Sequence, residues 1–200
     1  MQDGHLGEAL NYLEQAILLA RQSGRTLLLV LNYMNVSGVH ILQKRYDKAL
    51  ETALDGLKTC EQRAIKSTYH LAGLASNAGE ACYYLGRYKD ALAYADQAIQ
   101  TEEPAHMPYA LAVAGMTYHA QGKLDAADAR LDQSLAWSVR IEDRYAEAST
   151  RRAVGALRAA QGRLADAAQA FEKSHAIFVQ LGNVMEAEAT GDRLAALQAD

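Results

Sequence analysis

Six histidines and two cysteines are the residues of this 200-residue chain best suited to metal binding or nucleophilic catalysis, and their spacing supports neither. His5, His40, His70, His106, His119 and His175 include no H-x-x-x-H pair, the spacing that sets two imidazoles on one helical face. Cys60 and Cys82 are lone thiols without metal-type spacing, and a buried structural role is expected for Cys82. The glycines are spread along the chain and form no phosphate-cradling loop. The carboxylates Glu102–Glu103 and Asp125–Asp128 stand near turns and helix starts, where they complement the helix dipole. No enzyme, no cofactor and no metal are expected. What remains is recognition. Asn35 and Asn77 occupy equivalent places, two residues before Ser37 and Gly79. An Asn amide carries donors and an acceptor, so it can pair with the backbone of an extended peptide whatever its sequence. Val113 and Ala153 hold the next two equivalent places, so the asparagine pattern stops there.

That equivalence rests on a repeat. GRYKDALAYADQAI at 86–99 returns as GKLDAADARLDQSL at 122–135 and as GRLADAAQAFEKSH at 162–175. Looser copies start at residues 4 and 44. The alanines Ala9, Ala49, Ala91, Ala127 and Ala167 are separated by 40, 42, 36 and 40 residues. Seven further on stand Ala16, Gly56, Ala98, Ser134 and Ser174, two helical turns away and on the same face. A helix that keeps bulk off one stripe lets a neighbour approach. This is a packing requirement, and it predicts Ala91, Ala127 and Ala167 buried where two helices meet. Upstream of each copy runs a second amphipathic stretch, with Ser37, Gly79, Gly115 and Gly155 seven residues before the Gly or Lys slot. Three residues later come His40, Cys82, Tyr118 and Arg158. A glycine inside a helix costs about 1 kcal/mol against Ala, so it belongs where another helix crosses closely.

Helix–turn–helix units with G-x-x-Y, then G-x-x-x-x-A, then a small residue seven on, resemble the tetratricopeptide repeat (TPR). The clearest copy is Gly115-Met116-Thr117-Tyr118 followed by Gly122 and Ala127. The usual repeat is about 34 residues. The longer spacing here is similar to the variety in kinesin light chains, Gα-regulatory TPR scaffolds and MalT-like bacterial regulators. The resemblance implies an all-α, right-handed superhelical solenoid of antiparallel helix pairs, about ten helices in one array over 1–200. Its parts would be an unpaired second-type helix at 5–23, units at about 26–63, 67–102, 107–142 and 144–181, and a capping helix at 184–198. It also implies a concave face, lined by the first helix of each unit, that binds a protein or peptide. The residues placed there are Met34, Asn35, Asn77, Glu80, Tyr83, Tyr109, Met116, His119 and Arg152, with smaller neighbours such as Ser76, Ala112 and Ser149. The longer scaffolds use asparagines in this way, and Asn35 and Asn77 look similar. The Lys and Asn set of chaperone-binding TPRs is not matched.

Composition agrees with a helical array: no β-branched alternating run competes with the 3.6-residue period, and only Pro104 and Pro108 break it. A net charge of −4 spread along the chain argues against nucleic acid. No apolar run reaches membrane-spanning length and the first residues carry no signal-peptide pattern, so no membrane partner and a cytoplasmic location are expected. A protein- or peptide-binding scaffold is the principal reading. The alternative is a ligand-sensing or autoinhibitory TPR segment of a larger MalT-like bacterial regulator, and a third is an enzyme or an accessory subunit with unrecognised chemistry. Leu6, Leu10, Leu13, Ile17 and Leu18 on the first helix would have one neighbouring unit to cover them. Either the natural chain continues upstream of this helix or two chains pack through it as a homodimer, and one of these is expected.

Overall fold

The molecule, a computed structural model, is described over residues 2–199, with side chains over 6–197. Met1 and Asp200, the ends of the expected array, and the His5 side chain lie outside the described residues. Ten helices and no strand occupy the described residues: α1 Gln2–Gln22, α2 Thr26–Leu42, α3 Tyr46–Gln62, α4 Thr68–Tyr84, α5 Tyr88–Ile99, α6 Met107–Ala120, α7 Leu124–Arg140, α8 Arg144–Ala160, α9 Leu164–Gln180 and α10 Val184–Ala199. Among those residues no helix is long and apolar enough to cross a membrane. The chain is an all-α helical repeat array.

Turns inside the helix pairs explain the Gly or Lys slot. Lys44, Gly86, Gly122 and Gly162 all take positive φ, between 57° and 74°. At each, the next residue's N–H reaches back to the first-type helix: Arg45 to the His40 carbonyl, Arg87 to Cys82, Lys123 to Tyr118 and Arg163 to Arg158. This is the left-handed C-terminal cap, which glycine enters without a Cβ penalty and lysine at about 1–2 kcal/mol.

The chain divides into two compact units, Met1–His106 and Met107–Asp200. In the first, α2 packs against α1, α3 and α4, and α4 also packs against α3 and α5. In the second, α6 packs against α7 and α8, and α9 packs between α8 and α10. The small-residue stripes of the second-type helices meet the first-type helices. Ala49, Ala91, Ala127 and Ala167 are fully buried. A Cβ on Gly56 would run into Leu74, one on Gly115 into Leu131, and one on Gly155 into the Phe171 ring. Each such glycine marks a crossing filled by a large side chain of the facing helix. The serines in the stripe do more than stay small. Ser134 donates to the Pro108 carbonyl and Ser174 to the Ala148 carbonyl, both at 2.7 Å, forty residues apart at both ends.

Candidate functional site

The first-type helices carry every residue expected to bind. In the first unit these are α2 and α4. Met34 is 7% exposed, and its sulfur occupies the space a Cβ on Gly73 would need. Met34 therefore serves the core between α2 and α4 and is corrected from a contact residue to a packing residue. Asn77 is half-buried, and both amide hydrogens are spent inside the protein. Its Nδ2 donates to the Met34 carbonyl at 2.9 Å and to Ser37 Oγ at 2.7 Å, while Ser37 Oγ itself donates to Met34 O at 2.8 Å. Asn77 ties α4 to α2, and the donors that would read a peptide backbone are already used. Asn35, its equivalent one unit earlier, is exposed. Glu80 and Tyr83 follow on α4, both half-buried. The Tyr83 ring lies 5.1 Å edge-on from Tyr84 and 6.2 Å from Tyr88, and Tyr84 stacks on Tyr46 at 4.4 Å. This tyrosine cluster at the end of α4 was not singled out from the sequence, because Tyr46 and Tyr88 belong to different helices that only the fold brings together.

In the second unit the corresponding helices are α6 and α8. Tyr109, Met116 and His119 are half-buried on α6. The Tyr109 hydroxyl donates to Asp143 Oδ2 at 2.7 Å, and Asp143 Oδ1 caps α8 by accepting from the Ala146 N–H at 2.9 Å. Burial lowers the His119 imidazole below its ordinary value and so favours the neutral ring, which can accept as well as donate a hydrogen bond. Arg152 on α8 is committed to its own unit: it pairs with Glu186 of α10 and lies over the Phe178 ring at 5.4 Å. Tyr83 belongs to the first unit, and Tyr109 and Met116 to the second.

Several groups read only as surface or packing residues have specific work. Asp128, read as a helix-dipole carboxylate, accepts from Arg158 of α8 at 2.5 Å, which holds the carboxyl below its usual range. Glu147 is buried between Arg144 and Arg151, to both of which it is paired. The Asp128–Arg158 pair left no local sequence signal because its partners stand on different helices, whereas the Glu147 pairs lie at i,i+3 and i,i+4 spacing on one face of α8. Burial pushes both the Cys60 and Cys82 thiols up, so neither is a poised nucleophile. His40, 5% exposed, is held low first by burial and then by Lys48 and Arg45. Among the described residues no group of three His, Cys, Asp or Glu side chains is placed to hold a metal ion.

The arrangement is thus a set of half-exposed polar and aromatic side chains on well-packed helices. A tetratricopeptide repeat family model matches residues 107–180. No curated protein matches the sequence. Among solved structures, the fold is similar to BtubC (BKLC) from P. vanneervenii, at 16% identity over 97% of this chain and 91% of that one, with a TM-score of 0.62. It is similar to a Rap protein complexed with Competence and Sporulation Factor, at 21% identity over 98% of this chain and 59% of that one, with a TM-score of 0.62. It is also similar to YrrB, a TPR protein with an unusual peptide-binding site, at 18% identity over 96% of this chain and 86% of that one, with a TM-score of 0.50. At these identities the likeness is one of fold. The repeat match thus covers residues 107–180, and the chain as a whole is similar to these TPR proteins in fold, an all-α helical repeat array.

Proposed function

We propose that this protein is a protein- or peptide-binding scaffold that uses the faces of its first-type helices. The observation that carries the reading is the unequal use of the two helix types. Second-type helices bury their small stripe against the first-type helices, whereas α2, α4 and α6 keep Asn35, Glu80, Tyr83, Tyr109, Met116 and His119 wholly or partly exposed. Met, Tyr and Asn suit a surface that adapts to a partner. The Rap and YrrB structures, whose descriptions name a bound factor and a peptide-binding site, support the same use of this fold. Helices of 17 residues in α7, α8 and α9 span about 25 Å each, which supports the long-repeat variety. The reading assigns recognition and no catalysis. It includes a homodimer through α1 and the first turn of α2, where Tyr12, Leu18, Leu19, Leu27 and Leu28 are exposed.

The scaffold reading is tested with side chains that hold no hydrogen bond or ion pair among the described residues. Immobilised wild-type protein and an Asn35→Ala/Met116→Ala/His119→Ala variant are used to capture proteins from cell lysate. Bound species should be retained by the wild type and lost from the variant, while the circular dichroism of the two stays equal. Recovery of the same species in equal amounts on both would remove the first-type faces from the function.

A further inference from the structure

Neighbouring second-type helices of the first unit leave a cleft over the first-type helix between them, and this happens twice. One cleft, of about 410 Å³, lies between α1 and α3 over α2. The other, of about 490 Å³, lies between α3 and α5 beside the start of α4. The repeat makes them equivalent. Gly24 and Ala64 are the positive-φ residues of the two turns, and Leu29 and Leu71 occupy the same place in the first turn of α2 and α4.

Their chemistry differs. Around the second cleft Leu54, Ile65, Leu71 and Tyr94 dominate, with Glu61 and Lys66 also in the lining and Lys58 shared with the first. Around the first stand Arg21, Lys58 and Arg63 against the single carboxylate of Asp55. Among the described residues neither Lys58 nor Arg63 has an ion-pair partner, whereas Arg87, Arg144, Arg151, Arg152, Arg158 and Arg163 each hold a carboxylate. Arg21 is held by a neutral group. Its guanidinium donates to the hydroxyl of Tyr33, a core residue 6% exposed, and so is fixed at the cleft wall with its charge uncancelled by direct pairing. The Tyr33 hydroxyl accepts that bond and keeps its own proton to donate.

We propose that this cleft binds a phosphoryl group. Three cations against one carboxylate leave a surplus of two positive charges. A phosphate monoester carries about −1.5 to −2 at neutral pH and offers three acceptor oxygens, whereas a carboxylate ligand would cancel about one charge. Guanidinium forks suit phosphate oxygens, and the lysine supplies a mobile point charge. The phosphoryl group belongs either to a phosphorylated side chain of a polypeptide or to a small phosphate monoester. None of Asn35, Glu80 or Tyr83 lines the cleft, so the inference stands apart from the scaffold reading.

The test uses the full chain and follows amide chemical shifts and calorimetry. Four probes are titrated: inorganic phosphate, O-phosphoserine, a phosphoserine peptide and its unphosphorylated twin. The three phosphorylated probes should bind and shift the resonances of residues 21, 58 and 63. Lys58→Gln/Arg63→Gln, at two exposed positions, should weaken binding by roughly tenfold or more with unchanged melting temperature. Lys66→Gln, at the neighbouring cleft, should leave affinity as it is. A phosphopeptide that binds more tightly than O-phosphoserine supports the site and names a polypeptide source; equal affinity supports it and names a small monoester. The proposal is overturned by equal binding of the unphosphorylated twin, by no binding of any phosphorylated probe, or by indifference to the double substitution.

Discussion

A Cβ on Gly155 would meet the Phe171 ring at 2.7 Å, whereas one on Gly191 would meet only the His175 ring, at 3.6 Å. Phe171 is 3% exposed, so its ring is enclosed by the core. Gly155→Ala should therefore destabilise the protein by about 1–3 kcal/mol, the usual cost of overpacking a core. Gly191→Ala, inside α10 and in ordinary contact, should be neutral or stabilise by up to about 1 kcal/mol through helix propensity. Urea denaturation of the two variants checks this, and shifts of the same sign and size would undo it. The position of Gly155 was legible in the sequence because the repeat places it against the small stripe of α9. The residue that fills the gap was not, since nothing local assigns Phe171 to it.

The tie between α2 and α4 runs through one amide. Asn77 gives both its hydrogens to α2, at Met34 O and Ser37 Oγ, and its loss removes two interhelix bonds while Ser37 keeps only the one it donates to Met34 O. Asn77→Ala should cost about 1–3 kcal/mol of stability, the sum for two hydrogen bonds at about 0.5–1.5 kcal/mol each. Asn35→Ala, at the equivalent but exposed place, should change stability by less than about 0.5 kcal/mol. Thermal melts of the two proteins decide it; equal melting temperatures would mean that the Asn77 bonds do not join the helices. From the sequence the two asparagines look alike, because periodicity records which turn a residue stands on and not what crosses it. The same holds for Ser134 and Ser174. Their smallness shows in the pattern, and their bonds to Pro108 and Ala148 show only in the packed pairs.

At the scale of the molecule, the α1 end of the first unit exposes more apolar surface than its role in packing requires. Leu6, Leu10, Leu13 and Ile17 are half-buried, while Leu18 and Leu19 are 56% and 63% exposed and Tyr12 is 70% exposed. The exposed set is thus displaced from the one the helical pattern suggested, because α2 covers part of the face counted as open. The proposed homodimer uses this surface, and a two-fold arrangement would apply the same patch on both subunits. Light scattering should give the mass of a dimer for the wild type and of a monomer for Leu18→Glu/Leu19→Glu, with the ellipticity of the two equal. A wild type that stays monomeric at high concentration disproves it.

The sequence by itself determined the helical repeat, its period, the turn slots and the small stripe. These are local or periodic properties: a left-handed cap needs Gly, or tolerates Lys, wherever it occurs, and a close crossing needs a small side chain every two turns. The burial of Ala49, Ala91, Ala127 and Ala167 follows from that periodicity alone. Only the tertiary structure decided which polar groups are spent and which are free. Asn77, Arg152 and Tyr109 are engaged by partners 34 to 43 residues away, and Lys58 and Arg63 are left beside a cleft that α1, α2 and α3 form together. A side chain's availability depends on every element that packs around it, and no window of sequence shorter than a repeat contains them.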